Sequence, residues 1–211
     1  MSNLKIFDIS PEISPSIAVF PGDTEFSRSE LMSTKKGQHL TLSSINTTVH
    51  LGAHTDAPNH YHKDGADIAS RDLSLYIGDC QVIEVNLEKN TRITSSDFKT
   101  EITAPRVLFK TNSFPDPNKW NSEFNALSSE LVTFLAEKKV RLIGIDTPSV
   151  DLADDKELES HLAIYKNDMA ILEGIVLTDI EPGNYRLIAP PLKIKEADAS
   201  PVRAVLIQGN L

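Results

Sequence analysis

The chain of 211 residues is 40% hydrophobic and 24% charged, enough length and apolar content for one full core or at most two small ones. Its formal net charge of -9 lacks the basic footprint of a nucleic-acid binder, and Cys80, its only cysteine, excludes an intrachain disulfide and a thiolate-based zinc site. No segment approaches the roughly 20 apolar residues of a membrane span, and MSNLKIFDIS has neither the basic region nor the apolar run of a signal peptide, so a cytoplasmic protein is expected.

Short apolar runs separated by Pro, Gly and Asn follow one another along the chain. LKIFDIS alternates well enough for a strand, and SPSIAVFPGD closes it with a turn or loop. HLTLSSINTTVH, rich in β-branched residues, predicts a strand leading directly into the segment after it; CQVIEVNL and PRVLFKT predict two more. The period then changes. In SEFNALSSELVTFLAEKK the apolar Phe124, Leu127, Leu131, Phe134 and Leu135 share one side of a helix, with Ser122 as its N-cap. VRLIGID predicts a buried strand, DDKELESHLAIYKND a shorter amphipathic helix and MAILEGIVLTDI another buried strand, before YRLIAPPLKI and SPVRAVLIQ finish the chain. Strands outnumber helices and no repeat or long linker intervenes, so residues 1–211 are expected to form a single α/β domain around a mixed sheet.

One stretch stands apart. HLGAHTDAPNHYH, residues 50–62, holds four of the chain's six histidines and an aspartate. Gly52 and Pro58 interrupt any helix there, whereas in extended chain the even spacing lets His50, His54 and Asp56 point one way. Two imidazoles and a carboxylate are the donor mix that Zn²⁺ accepts; a polar surface loop is the plain alternative. His62 reads as solvent-facing or supporting, and Asp64 and Gly65 as a simple turn. Far down the chain, Glu173 falls in the middle of the apolar AILEGIVL. A buried carboxylate needs a cation, a metal or several donors, so a salt bridge competes with metal binding at this position. His161, in the preceding amphipathic segment, is either an exposed helical histidine or, with Glu173, the completion of a two-metal site.

These residues carry a resemblance. HLGAHTDAPNHYHKDG resembles the His-x-Gly-x-His-x-Asp-x-Pro-x-His signature of the bacterial kynurenine formamidases (arylformamidases) of the metal-dependent cyclase family. FDISPEISPSIAVFPGDTEF, RLIGIDTPSVD, HLAIYKNDMAILEGIVL and LIAPPLKIKEADASPVRAVL resemble that family's further blocks in the same order, over nearly the whole chain. The resemblance implies the family's swivelling β/β/α fold, a homodimer, and two divalent metal ions per chain, zinc by expectation. It places His50, His54 and Asp56 on one ion, with Asp56 and Glu173 bridging to a second held also by His161, and makes His60 the proton-transferring residue. Phe20 matches a substrate-contacting aromatic position that relatives often fill with tryptophan, and Leu51 stands where a small polar residue is usual. The smaller ring of Phe20 offers less stacking surface. The activity implied is hydrolysis of N-formyl-L-kynurenine to L-kynurenine and formate by metal-activated water, in tryptophan degradation. Another cyclase-family hydrolysis, of a cyclic amide, lactone or related small amide, is the alternative, and a non-catalytic binding protein a more distant one. No Gly-x-Ser-x-Gly elbow is present for a serine hydrolase. Asp146, at the end of LIGID, is expected to serve structurally rather than as a ligand.

Overall fold

In the computed structural model, which describes residues 4–209, the first three residues of the start quoted above lie outside the described range. The fully apolar runs form the middle of a mixed sheet. Strand β7 (Arg106–Lys110) pairs in parallel with β5 (Ile77–Glu84) on one side and with β9 (Leu142–Ile145) on the other; β10 (Ala170–Leu172) then adds in parallel to β9. On the far side of β5, β11 (Gly183–Ile188), β13 (Val205–Gln208) and β1 (Lys5–Asp8) add antiparallel, giving the order β1-β13-β11-β5-β7-β9-β10.

The parallel strands are buried on both faces, as such strands must be when both faces are covered. Their two-residue period divides the core. Val107, Phe109, Ile143, Ile145 and Ile171 pack on one face with Leu131 and Leu135 of α1 (Ser129–Glu137) and Ile164 of α2 (Glu159–Lys166). Leu108, Leu142 and Leu172 pack on the other with Ile9, Ala53, Ile175 and Leu206. Truncating a fully buried leucine such as Leu131 to alanine removes roughly 2–5 kcal/mol of stability.

Several sequence expectations change in the folded chain. The long helix begins not at Ser122 but at Ser128, whose Oγ accepts from the Leu131 amide at 3.1 Å. Phe124 and Leu127 are buried, as the apolar pattern requires, but Ala126–Leu127 is the short strand β8, parallel to β6 (Arg92–Ile93). MAILEGIVLTDI is a strand only over β10, which ends one residue before Glu173. HLTLSSINTTVH is a strand only at β3 (Leu42–Asn46), which forms an exposed hairpin with β2 (Ser27–Met32) and stops short of the histidines. SPVRAVLIQ divides into β12 (Ala199–Pro201) and β13.

Candidate metal centre

The histidine segment is placed by the smallest strand of the fold. β4 (His54–Asp56) pairs antiparallel with β12, setting Pro201 opposite His54 and Ala199 opposite Asp56. On its other side His54 forms a single bridge to Glu173, with the His54 amide donating to the Glu173 carbonyl at 3.1 Å and the Glu173 amide to the His54 carbonyl at 2.9 Å. The strand period then puts His54 and Asp56 on one side. His50 reaches the same point without belonging to the strand. The chain turns at Gly52, whose φ of 55° lies in the left-handed region that glycine adopts freely, so the even-step parity describes His54 and Asp56 only. The approach between the two segments is also tight. Gly174 has φ of 62°, and a Cβ there would lie 2.1 Å from the Gly52 carbonyl oxygen.

All the candidates converge: His50, His54, Asp56, His60, His161, Glu173 and Phe20 line one cavity of about 440 Å³. Asp56 sits at its centre. Its Oδ1 lies 3.0 Å from His50 Nδ1 and 3.5 Å from His54 Nε2, and its Oδ2 3.3 Å from His161 Nε2. Glu173 closes the other side, 3.1 Å from His54 Nε2 and 3.8 Å from His161 Nε2.

Each of those three imidazoles is anchored through its other nitrogen. His54 Nδ1 lies 2.9 Å from the Gly52 carbonyl, His161 Nδ1 2.8 Å from Asp151 Oδ2 and His50 Nε2 2.9 Å from Asp198 Oδ2. An N–H donated outward fixes the tautomer and leaves a lone pair aimed inward, the arrangement typical of metal-ligating histidine. Asp56 Oδ1 is buried and has no hydrogen-bond partner, a costly state for a carboxylate oxygen unless a cation meets it. The donor set therefore fits a divalent ion of the zinc type, and His50, His54 and Asp56 offer ligand atoms all within 4.8 Å of one another.

Without metal, protons take that place. Burial disfavours the His50 imidazolium, but the Asp56 and Asp198 carboxylates outweigh it and raise its pKa to about 9. His161 is likewise raised to about 10, because Asp151 and Asp56 override its burial. Asp56 is held well below the usual carboxylate range, since His161 and His50 outweigh its burial. His60 goes the other way: burial, reinforced by neighbouring His50 and His161, lowers its pKa despite the Asp56 charge.

A pH dependence follows. Raised histidines stabilise the metal-free fold fully below their unfolded value of about 6.5, and that contribution is lost as pH rises through about 9 for His50 and about 10 for His161. Metal needs the same nitrogens deprotonated. The difference in Tm between metal-loaded and chelator-treated protein should therefore widen from about pH 6 to about pH 9. A difference that stays flat would mean that these imidazoles do not hold the metal.

Of the other sequence candidates, His62 stacks on Tyr165 with ring centroids 3.9 Å apart. Asp146 accepts from the amides of Thr111 and Asn112 at 2.9–3.0 Å, pinning the turn beside the cavity. Three residues were not singled out from the sequence. Asp151 and Asp198 are ordinary surface-type residues until the fold sets them behind His161 and His50. Trp120 meets Phe20 edge-to-face at 4.8 Å and Phe114 at 6.1 Å, so the aromatic wall is wider than Phe20 alone. Its one available signal is that it is the only tryptophan in the chain.

Comparison with known proteins gives the family and the fold. The model of the family described as "Putative cyclase" matches residues 7–152. The chain belongs to the cyclase family. This cyclase-family chain shares its fold with a solved structure described as a potential metal-dependent hydrolase with cyclase activity, at 26% identity and a TM-score of 0.85, covering 99% of this chain and 100% of that one. A predicted metal-dependent hydrolase from Bacillus stearothermophilus is also 26% identical, with a TM-score of 0.81 over 97% of this chain and 98% of that one. An isatin hydrolase bound to the product analogue thioisatinate is 18% identical, with a TM-score of 0.81 over 98% and 93% of the two chains; that likeness concerns the fold alone. The protein thus has the single-domain α/β fold of the cyclase-family metal-dependent hydrolases. Among the described residues no helix is long and apolar enough to cross a membrane.

Substitution at Gly174 tests the backbone that aims His54. Alanine there combines a strained left-handed φ with a clash on the Gly52 carbonyl, and should cost roughly 2–4 kcal/mol of stability in denaturant titration. Metal affinity should fall as well, because the displaced carbonyl is the one that fixes the His54 tautomer. An unchanged midpoint would show that the two segments can separate freely.

Proposed function

We propose that this chain hydrolyses N-formyl-L-kynurenine to L-kynurenine and formate, as a cytoplasmic enzyme of tryptophan degradation, with two zinc ions per chain. His50, His54 and Asp56 would hold one ion, and Asp56, His161 and Glu173 the other. The observation that carries this reading is the position of the aromatic wall: Phe20, Phe114 and Trp120 line the same cavity as the histidine and carboxylate cluster. A flat aryl group held against that wall would share the cavity with Asp56 and the histidines. The likeness of the sequence blocks to bacterial kynurenine formamidases supports the substrate.

When bound, divalent ions would supply an acidified water and polarise the formyl oxygen. The residues do the rest. His60, whose pKa burial and its imidazole neighbours lower, takes the proton from the attacking water at Nε2, the ring nitrogen away from Asp198. The water's oxygen bonds to the formyl carbon, the carbon–nitrogen bond breaks, and His60 returns the proton to the departing aryl amine. Formic acid then loses its remaining proton to solvent, so formate and the amine are the products.

A second reading has an observation of its own. Among the described residues none lining the cavity is lysine or arginine, so no basic side chain there meets the amino-acid carboxylate of N-formyl-L-kynurenine. A cyclic aryl amide of the isatin kind carries no such group, and isatin hydrolases share the fold. Turnover of the two substrates by zinc-loaded protein decides between them: N-formyl-L-kynurenine should have the larger kcat/KM, and the reverse ratio hands the function to ring opening.

We also propose a homodimer. An isolated two-stranded hairpin is marginally stable in water, yet β2 and β3 leave Leu31, Leu42 and Ile45 exposed, an apolar surface suited to a second copy. Light scattering at micromolar concentration should give twice the chain mass of 23.3 kDa; an active monomer overturns the proposal.

A further inference from the structure

Asp151, the anchor of His161, is itself held by Arg92 in a network behind the centre. Asp151 is completely buried. Its Oδ2 accepts from His161 Nδ1 at 2.8 Å and from the His161 amide at 3.1 Å; its Oδ1 accepts from the Ser160 amide at 3.1 Å and from Arg92 at 2.8 Å. The last two backbone contacts cap the first turn of α2, a task its own N-cap leaves undone. Leu158 holds that position with φ of 50° and makes no side-chain cap. A leucine in the left-handed region is strained and persists only where the surroundings enforce it.

Arg92 supplies the enforcement. From β6 its guanidinium bonds Asp151, Asp155 and the Leu127 carbonyl, and its Nε lies 3.0 Å from Glu159. One cation thus fixes both ends of the loop 151–159, which forms a wall of the cavity through Leu152, Asp155 and Leu158. The three anchored histidines also differ in kind. His54 leans on a neutral carbonyl, His50 on a half-exposed carboxylate, and His161 on a buried carboxylate backed by an arginine.

We propose that Asp151, held by Arg92, is the positioning residue for the His161 half of the centre, fixing the His161 tautomer and setting the affinity of the ion bound there independently of the His50–His54 half. This rests on the metal-hydrolase reading for the presence of an ion, but not on which substrate is cleaved. All four groups facing the Asp151 oxygens are donors, so the NH₂ of an asparagine would oppose a donor in either orientation. Where it opposes His161 Nδ1, the ring proton moves to Nε2 and blocks the ligand atom.

The test is a titration of chelator-treated protein with Zn²⁺ against a chromophoric competitor, read without substrate. Wild-type protein should take two ions. Asp151→Asn should keep one at wild-type affinity and bind the other roughly 10–100-fold more weakly, the range expected when a partner of a ligating histidine is lost. Arg92→Gln should weaken the same ion by a smaller factor, and it carries the test if Asp151→Asn fails to fold. In a His161→Ala background neither substitution should change the remaining ion further. A folded variant that binds both ions as wild type does, or that weakens both equally, overturns the proposal, as does a wild-type chain that takes one ion insensitive to both substitutions. If the titration splits as expected while no aryl amide is hydrolysed, the function reading falls and the positioning role stands.

Discussion

Asp56→Ala should abolish metal binding and activity together. Asp56 faces His50, His54 and His161 at once, at 3.0–3.5 Å, and it belongs to both halves of the proposed centre. Removing it leaves Glu173 beside His54 and His161 and a void where the shared carboxylate stood. Losing a mere supporting partner of a ligand already costs 10–100-fold in metal affinity or activity, so loss of this ligand should exceed about 10²-fold in both. Metal content measured on the same purified samples as activity checks it. Circular dichroism on the same samples separates ligand loss from unfolding, because in the metal-free state the substitution also removes the carboxylate that offsets the raised His50 and His161 imidazoles and so costs stability. A variant that keeps stoichiometric metal would move the centre away from β4 and remove the basis of the proposed reaction.

The sequence made the inner atoms legible and hid their supports, for a physical reason. His50, His54 and Asp56 lie within a few residues of one another, so donor chemistry and spacing can be read locally, as can the oddity of Glu173 among apolar neighbours. Asp151 and Asp198 are separated from the histidines they orient by 10 and 148 positions respectively; only the β4–β12 pairing and the start of α2 bring them close. Nothing in the segments DLADDK or KEADAS distinguishes these aspartates from the solvated acids beside them.

The errors about elements have a similar cause. Phe124 and Leu127 satisfy a helical period because they are buried, but Asn125 donates its amide to Ser113 Oγ and Ala126 donates to the Thr91 carbonyl. Tertiary pairing therefore takes this stretch out of the helix, and the cap passes to Ser128. Glu173 looked like mid-strand because Ile175 and Leu177 after it are as buried as Ile171 and Leu172 before it. Burial alone does not say that the chain turns at Gly174. The all-apolar strands β7 and β9 were legible because a run too uniformly apolar for one face has to be covered on both.

The second large effect concerns His60, where geometry offers two roles. Its ring nitrogen falls within 4.8 Å of ligand atoms of Asp56 and His161, and separately of His50 and Asp198, so proximity alone would allow it to be a ligand. Three features favour proton transfer. Its side chain is 36% exposed, whereas His54 and His161 are at 5% and 4%. Among the described residues no acceptor holds either of its nitrogens: Asp198 Oδ2, 3.6 Å from Nδ1, is beyond hydrogen-bonding range and is already engaged by His50. It ends the short helical turn that Pro58 begins, at the side of the cavity rather than on β4. His60→Ala should accordingly retain wild-type metal content while lowering turnover of N-formyl-L-kynurenine by roughly 10²–10⁴-fold, the range for general acid–base transfer. The loss should appear in kcat more than in KM, because the aromatic wall that holds the aryl group is untouched. Loss of one ion with the activity would make His60 a ligand and leave the proton to another group. Near-normal turnover with both ions in place would make it a bystander, since a cavity that catalyses at full rate without His60 has no step that depends on it.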